Sequence, residues 1–362
     1  MSSNPQAALR NQLKQAGFID EDTPVPTDTD SPWYLRLMLG IAGWIGALFL
    51  LGFAGFGFVF VAESATASVV LGALTCAAAA WIYSHQAHND SAEQFAFAVS
   101  LAGQGLIVIS LVTAVDFEFT LSALIVAGVQ VVLFMLIANS QHRTWCALAG
   151  LYALTITLSR LGFSTYIATF LAAVFSWLWL RDLHYPLPGS KSRAFGYGAA
   201  LALALVLVTR ASVIQSWIYM DSDLYKLHIL SGYLSPYIDA VFIAALLLWV
   251  TYKLLARHGL ALTSLSGIIA ITVSLFLALL SIHAPGFSLA LIILIVGYAN
   301  GNRLLTGLGI ACLLGYTSQY YYWLEVTLLL KSILLMATGV VLLAGRVLLL
   351  QRWPEHAGDE HA

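Results

Sequence analysis

Charged side chains are scarce in this chain. Only 9% of its 362 residues are Asp, Glu, Lys or Arg, whereas soluble domains carry about 25%. So few charges cannot cover a water-facing surface, which excludes an ordinary soluble protein. The formal net charge of −2 also lacks the basic excess of nucleic-acid-binding proteins, so no nucleic-acid partner is expected.

Cysteines and catalytic motifs are scarce as well. The three cysteines, Cys76, Cys146 and Cys312, lie far apart and within apolar runs. This spacing argues against a disulfide framework and predicts small buried side chains. GxSxG, HExxH and glycine-rich phosphate loops do not occur in a suitable context. The sequence therefore predicts no catalytic residue, no metal site and no cofactor, and it favours a protein that is not an enzyme.

Long apolar runs are abundant instead, and the mean hydropathy is +0.85. Runs of about 20 continuous apolar residues predict membrane-spanning helices, whereas a barrel would need short alternating strands. Twelve runs lie near residues 36–61, 65–83, 94–115, 119–138, 144–160, 162–180, 194–209, 237–254, 259–282, 285–300, 303–319 and 326–346. Two pairs are joined by very short turns, so we predict an all-α polytopic membrane protein with ten to twelve transmembrane helices.

The runs divide the chain into three parts. Residues 1–31 predict a cytoplasmic N-terminal helix followed by an acidic, proline-containing linker. Residues 32–350 form the predicted transmembrane helical domain, and residues 351–362 form a cytoplasmic tail. Within the domain, a central inner loop spans residues 181–193, and a larger outer loop spans residues 210–236.

The distribution of basic residues predicts the orientation. If both termini are cytoplasmic, twelve of the sixteen Lys and Arg residues fall on the inner side and three on the outer side, and Lys331 alone lies inside a span. Cytoplasmic loops of membrane proteins carry this excess of Lys and Arg. The sequence therefore predicts that both termini are cytoplasmic.

Lys331 is the central residue of the first candidate site. A charge within a spanning segment costs about 2.5–3.5 kcal/mol on insertion scales, so it usually faces protein or water. Thr327 shares its helix face, Ser332 follows it, and Glu325 lies six residues before it. These four residues form a candidate intramembrane polar site. The favoured interpretation is snorkelling or a structural ion pair, and a transport or catalytic role is the alternative.

A second candidate site lies on the outer face. It combines one basic, one imidazole, one acidic and two aromatic side chains: Arg210, His228, Asp239, Tyr321 and Tyr322. The tyrosines most simply form an interfacial belt, and a platform for a ring-bearing ligand is the alternative. The outer acids Asp116, Glu118 and Asp239 are also the natural partners for Lys331.

A family resemblance covers most of the membrane part. The segments Ala284–Gly301 (APGFSLALIILIVGYANG) and Tyr320–Ser332 (YYYWLEVTLLLKS), followed by a glycine-bearing final span, resemble a bacterial multipass membrane protein family called domain-of-unknown-function family 4401. The resemblance implies a location in the bacterial inner membrane. It also implies two partners encoded nearby, another multipass membrane protein and a small membrane protein, in addition to the lipid bilayer. It implies no activity and no substrate.

Three functions remain open at this point. The first is a transporter-like protein or membrane-complex component with Lys331 and Glu325 near a polar pocket. The second is a structural or sensory membrane subunit without a translocation path. The third is an outer-leaflet enzyme that processes glycans or lipids and uses Arg210 and His228, because membrane glycan ligases have a similar layout.

Overall fold

The structure is a computed structural model. It describes residues 65–85, 90–116, 118–163, 166–182, 191–210, 235–282 and 284–323, together with the single residues 38, 329, 332, 336 and 343. Within these ranges the regular structure consists of ten α-helices and a short π-helical segment, and it includes no strand. The predicted all-α class is therefore confirmed. The predicted N-terminal helix and most of the first and last apolar runs lie outside the described residues.

The ten helices coincide with ten of the predicted apolar runs. They are α1 (Ala65–His85), α2 (Asp90–Ala114), α3 (Phe119–Leu136), α4 (Ser140–Leu158), α5 (Ile167–Asp182), α6 (Lys191–Arg210), α7 (Ser235–Arg257), α8 (Leu265–Leu280), α9 (Pro285–Ala299) and α10 (Arg303–Trp323). A π-helical segment, Ser159–Phe163, follows α4 directly. The run predicted at 259–282 becomes helical only at Leu265.

The late start of α8 has two local causes. Gly259 follows α7 with a φ of +64°, and the Leu260 amide donates to the Leu255 carbonyl oxygen at 3.0 Å. A left-handed glycine with this hydrogen bond is a common way to end a helix. Ser264 then caps α8, because its hydroxyl oxygen accepts from the Gly267 amide at 3.1 Å.

Five of the described helices contain segments long and apolar enough to cross a membrane. These segments are Thr66–His85, Ala92–Ala114, Phe119–Leu136, Lys191–Thr209 and Tyr237–Arg257. Shorter apolar helices cover Ile167–Arg181, Leu265–Leu280 and Pro285–Ala299. A hydrocarbon core of about 30 Å needs about 20 helical residues. The described helices therefore support a membrane protein, while the count of twelve spans and the orientation stay predictions.

Helix α9 lies at the centre of the larger core. Its residues Leu289, Ile292, Ile293 and Val296 are completely buried, and α9 contacts α5, α6, α7, α8 and α10. A helix that is apolar on all sides is expected to be buried in this way. The outer surfaces of the surrounding helices carry exposed apolar side chains such as Phe276, which suits a lipid environment.

Glycine allows the backbones of α1 and α2 to approach each other closely. A Cβ atom placed on Gly103 would lie 2.7 Å from the Gly72 carbonyl oxygen and 2.8 Å from Cys76 Sγ, and it would also overlap Thr75 Oγ1. Small residues at helix crossings provide this kind of close packing in membranes. Gly103 therefore sets the distance between the two helices.

Replacing Gly103 by alanine should destabilise the protein. The added methyl group overlaps backbone and side-chain atoms of α1, so we expect the free energy of unfolding to fall by about 1–3 kcal/mol. Gly105→Ala is the matched control, because nothing lies within 4 Å of a Cβ at that position of the same helix. Unfolding in mixed micelles by added SDS, followed by circular dichroism, measures both variants. Equal stability of the two variants would contradict the close contact.

Candidate functional site

Four polar side chains are buried together between α2, α3 and α4, and we call them the polar cluster: Ser100, Gln104, Gln130 and His142. Ser100 and Gln104 are four residues apart and share one face of α2, whereas Gln130 belongs to α3 and His142 to α4. None of the four is more than 5% exposed. A buried polar group costs free energy unless it is hydrogen-bonded, so the hydrogen bonds define what the cluster can do.

Hydrogen bonds join the polar cluster into a chain that crosses three helices. Ser100 Oγ lies 2.7 Å from His142 Nε2. Gln104 Nε2 lies 3.1 Å from both Ser100 Oγ and His142 Nε2. Gln130 Nε2 donates to Gln104 Oε1 at 2.9 Å. The chain therefore runs from the imidazole ring through one amide group to the next.

The chain of hydrogen bonds ends in an acceptor that lacks a donor. Gln130 Oε1 is buried and has no hydrogen-bond partner within the part of the chain that the structure describes. A buried polar atom left without a partner costs about 1–3 kcal/mol. Such an atom calls for a physical explanation, and a donor that arrives from outside the cluster is one.

Local structure at the start of α4 fixes the position of His142. Asn139 caps the helix, and its Oδ1 accepts from the His142 amide at 3.0 Å. The neighbouring Arg143 Nε donates to the Phe134 carbonyl oxygen at 3.2 Å, which ties the first turn of α4 to the end of α3. The backbone that carries the imidazole ring is therefore held by both a cap and an interhelical bond.

Two sulfur atoms and two aromatic rings surround the cluster. Cys146 Sγ lies 3.4 Å from His142 Nδ1, and Cys76 Sγ donates to the Ser100 carbonyl oxygen at 3.8 Å. The edges of Tyr83 and Phe97 approach the imidazole ring, with centroid distances of 6.0 and 6.4 Å. The cysteines are buried, as predicted, but these two also take part in polar contacts.

The positions of these groups are compatible with two hydrogen-bonding arrangements. In the first, which the structure shows, Gln104 Nε2 donates towards His142 Nε2, which places the ring proton on Nδ1 facing Cys146 Sγ. In the second, both amide groups are turned over, His142 Nε2 donates to Gln104 Oε1, and Gln104 Nε2 donates to Gln130 Oε1. The ring nitrogen that carries a proton decides between them, because a neutral imidazole has one donor and one acceptor.

A comparison with protein-family models identifies a family for this chain. The family model described as "Domain of unknown function (DUF4401)" matches residues 32–352. The chain belongs to this family. No curated protein and no solved structure matches it. All ten described helices and the polar cluster lie within the matched part of this DUF4401 protein.

The predicted intramembrane site lies mostly outside the described residues. Three of its residues, Lys331, Glu325 and Thr327, are not among the residues of this DUF4401 chain that the structure describes. Ser332 is described, and it is exposed and donates to the Leu329 carbonyl oxygen at 2.8 Å. The site therefore stays a prediction.

The predicted outer-face site is described in part. His228 lies outside the described residues, and Arg210 is the last residue of α6. Tyr321 and Tyr322 belong to α10, where their rings are perpendicular with centroids 6.4 Å apart. Asp239 is buried in α7 and accepts from Thr169 Oγ1 at 2.6 Å. The described members of this predicted site therefore belong to three different helices, α6, α7 and α10.

Glu118, one predicted partner for Lys331, is the N-cap of α3 in this DUF4401 protein. Its carboxylate accepts hydrogen bonds from the amides of Leu121 and Thr120. These bonds, that from Leu121 above all, lower the pKa of Glu118 from its ordinary value. Glu118 therefore caps helix α3.

The stability that Glu118 provides should depend on pH. Because its pKa is lower in the folded than in the unfolded protein, its contribution is complete above the unfolded value, about 4.3. It is then lost as the pH falls through the folded value. Thermal melting of the wild type and Glu118→Gln from pH 7 to pH 3 tests this. The melting-temperature advantage of the wild type should shrink at acid pH, and a constant difference would contradict the capping role.

The polar cluster was not predicted from the sequence, because its residues are uncharged. The signal was present as pairs at helical spacing, Ser100 with Gln104 inside an apolar run and His142 with Cys146 at the start of another. A single glutamine, Gln130, interrupts the fourth run, at residues 119–138. Pairs four residues apart lie on one helix face, which predicts an inward polar face but not which helices meet.

Removing one amide from the polar cluster should cost more than removing two. Gln104→Leu removes the described hydrogen-bond partner of the Gln130 amide and one of the contacts of His142, so we expect a loss of about 1–3 kcal/mol in unfolding free energy. Adding Gln130→Leu to that variant removes the stranded amide and should recover part of the loss. Gln141→Leu is the matched control, because Gln141 is exposed. A double-mutant cycle by SDS unfolding measures the coupling, and strictly additive losses would contradict the chain of bonds.

Proposed function

We propose that this protein is a transporter-like component of the bacterial inner membrane, with about twelve spans and both termini in the cytoplasm. The polar cluster is its intramembrane site for a small hydrogen-bonding solute or a proton. The five apolar spanning segments support the membrane location. Another multipass membrane protein and a small membrane protein are its proposed partners.

The unpaired Gln130 Oε1 carries the proposal. Ionisable and polar residues within spanning segments are costly and often mark the paths of solutes or protons. A purely structural network would gain free energy by pairing every buried polar atom. An acceptor left open at the end of the chain instead provides a bonding position for a donor that comes and goes.

The second hydrogen-bonding arrangement with which the cluster is compatible adds to this argument. A proton or donor that reaches His142 favours the arrangement in which both amide groups are turned over. That change alters the group presented at Gln130, which lies on a different helix. The cluster can therefore couple an event in α4 to α3, as a transport site requires.

A structural or sensory subunit is the second candidate function. The observation that favours it is burial, because Ser100 and His142 have no exposed surface. In that case the cluster only holds α2, α3 and α4 together. The proposed site around Lys331, Glu325, Thr327 and Ser332 remains compatible with either function.

Accessibility of Ser100 to water separates the two functions. A transport site must open to one side of the membrane, so a cysteine at Ser100 should react with a membrane-impermeant maleimide from that side. The variant is Ser100→Cys in a background without Cys76, Cys146 and Cys312. We expect its reaction to be at least about tenfold faster than that of a cysteine in the apolar core. This ratio corresponds to a free energy of opening that is lower by about 1.4 kcal/mol.

The control is the protein that retains only its native Cys312. This residue is buried in the apolar core, and it is slightly more exposed than Ser100. Labelling of sealed vesicles from each side then compares a polar with an apolar buried position. Equally slow labelling of both would reject the transport site and favour the structural subunit.

A further inference from the structure

A groove of about 570 Å³ lies between α5 and α7. Five aromatic residues line it: Tyr166, Phe170, Trp177, Phe242 and Trp249. Phe170, Trp177 and Phe242 are about half exposed, so the groove opens on the surface of the helix bundle. In a membrane protein, an apolar surface of this kind faces lipid.

The two helices that form the groove run in the same direction. Near their starts, Thr169 Oγ1 of α5 donates to Asp239 Oδ1 of α7 at 2.6 Å. Trp177 and Trp249 therefore both lie towards the other end of the groove. The end near Thr169 contains the buried, hydrogen-bonded side chain of Asp239.

Two basic side chains follow the tryptophans at the opposite end. Arg181 comes four residues after Trp177, and its guanidinium lies 5.1 Å from the centre of that indole ring. Lys253 comes four residues after Trp249 and so shares its helix face. Both cations are exposed. The groove therefore combines an aromatic wall with a pair of positive charges at one mouth.

We propose that this groove binds an anionic phospholipid. One acyl chain lies along the aromatic wall, and the phosphate group lies against Arg181 and Lys253. The charges favour this occupant, since the two exposed cations Arg181 and Lys253 match a phosphate. Basic pockets between spanning helices on the cytoplasmic side are suited to such head groups.

The predicted orientation agrees with this occupant. Arg181 begins the loop 181–193, which the distribution of basic residues places on the cytoplasmic side. The lipid therefore comes from the inner leaflet. This inference does not depend on transport through the polar cluster, because the groove lies on α5 and α7, whereas the cluster lies on α2, α3 and α4.

Native mass spectrometry of the full-length protein in a neutral detergent tests the proposal. The probes are phosphatidylglycerol and phosphatidylcholine with identical acyl chains, titrated separately. We expect one phosphatidylglycerol to bind more tightly than phosphatidylcholine. The double variant Arg181→Gln/Lys253→Gln should weaken phosphatidylglycerol binding roughly 30-fold, as expected for two basic groups near a lipid surface.

Two further variants separate charge from shape. Lys191→Gln/Arg303→Gln removes two other exposed cations, which should leave phosphatidylglycerol binding unchanged. Ala173 lines the groove, so Ala173→Leu should weaken both lipids by partly filling it. Equal affinity for the two lipids, or equal loss in the two charge variants, would overturn the proposal. An occupant that proves to be a copurified protein helix would also overturn it.

Discussion

The close backbone contact between α1 and α2 supports the arrangement of the polar cluster. Gly103 meets Gly72 across the helix pair, and Gly103 directly precedes Gln104, which joins the His142 ring to Gln130. One turn before Gln104, the Ser100 carbonyl oxygen accepts from Cys76 of α1. A larger residue at either glycine would move α2 and so displace two members of the cluster. The packing of the small residues therefore also determines where the polar groups of the cluster lie.

The polar cluster also illustrates how this protein places polarity within apolar helices. Ser100, Gln104, Gln130 and His142 are neutral in the arrangement described, so each needs hydrogen bonds but no counter-ion. Neutral groups can exchange donors and acceptors by turning over an amide, whereas an ion pair cannot do so without separating charge. This difference makes the cluster suited to a reversible change.

The sequence predicted the helices well because each apolar run must match the thickness of a membrane. It predicted the start of α8 poorly, since the turn at Gly259 and the cap at Ser264 lie within an otherwise mostly apolar stretch of the sequence. It directed attention to Lys331, because a charge is the clearest polar signal in an apolar run. The polar cluster depends instead on which helices pack together, and periodicity within one helix does not contain that information.

The groove and the polar cluster place different demands on the same bundle. The groove needs α5 and α7 to stay apart along a lipid-facing surface, although Thr169 and Asp239 join them at one end. The cluster needs α2, α3 and α4 to stay close. Helix α6 contacts both α4 and α5, so a lipid that binds between α5 and α7 contacts α5, which packs on the helix that supports α4. Lipid binding can therefore influence the cluster through packing, without any contact between lipid and His142.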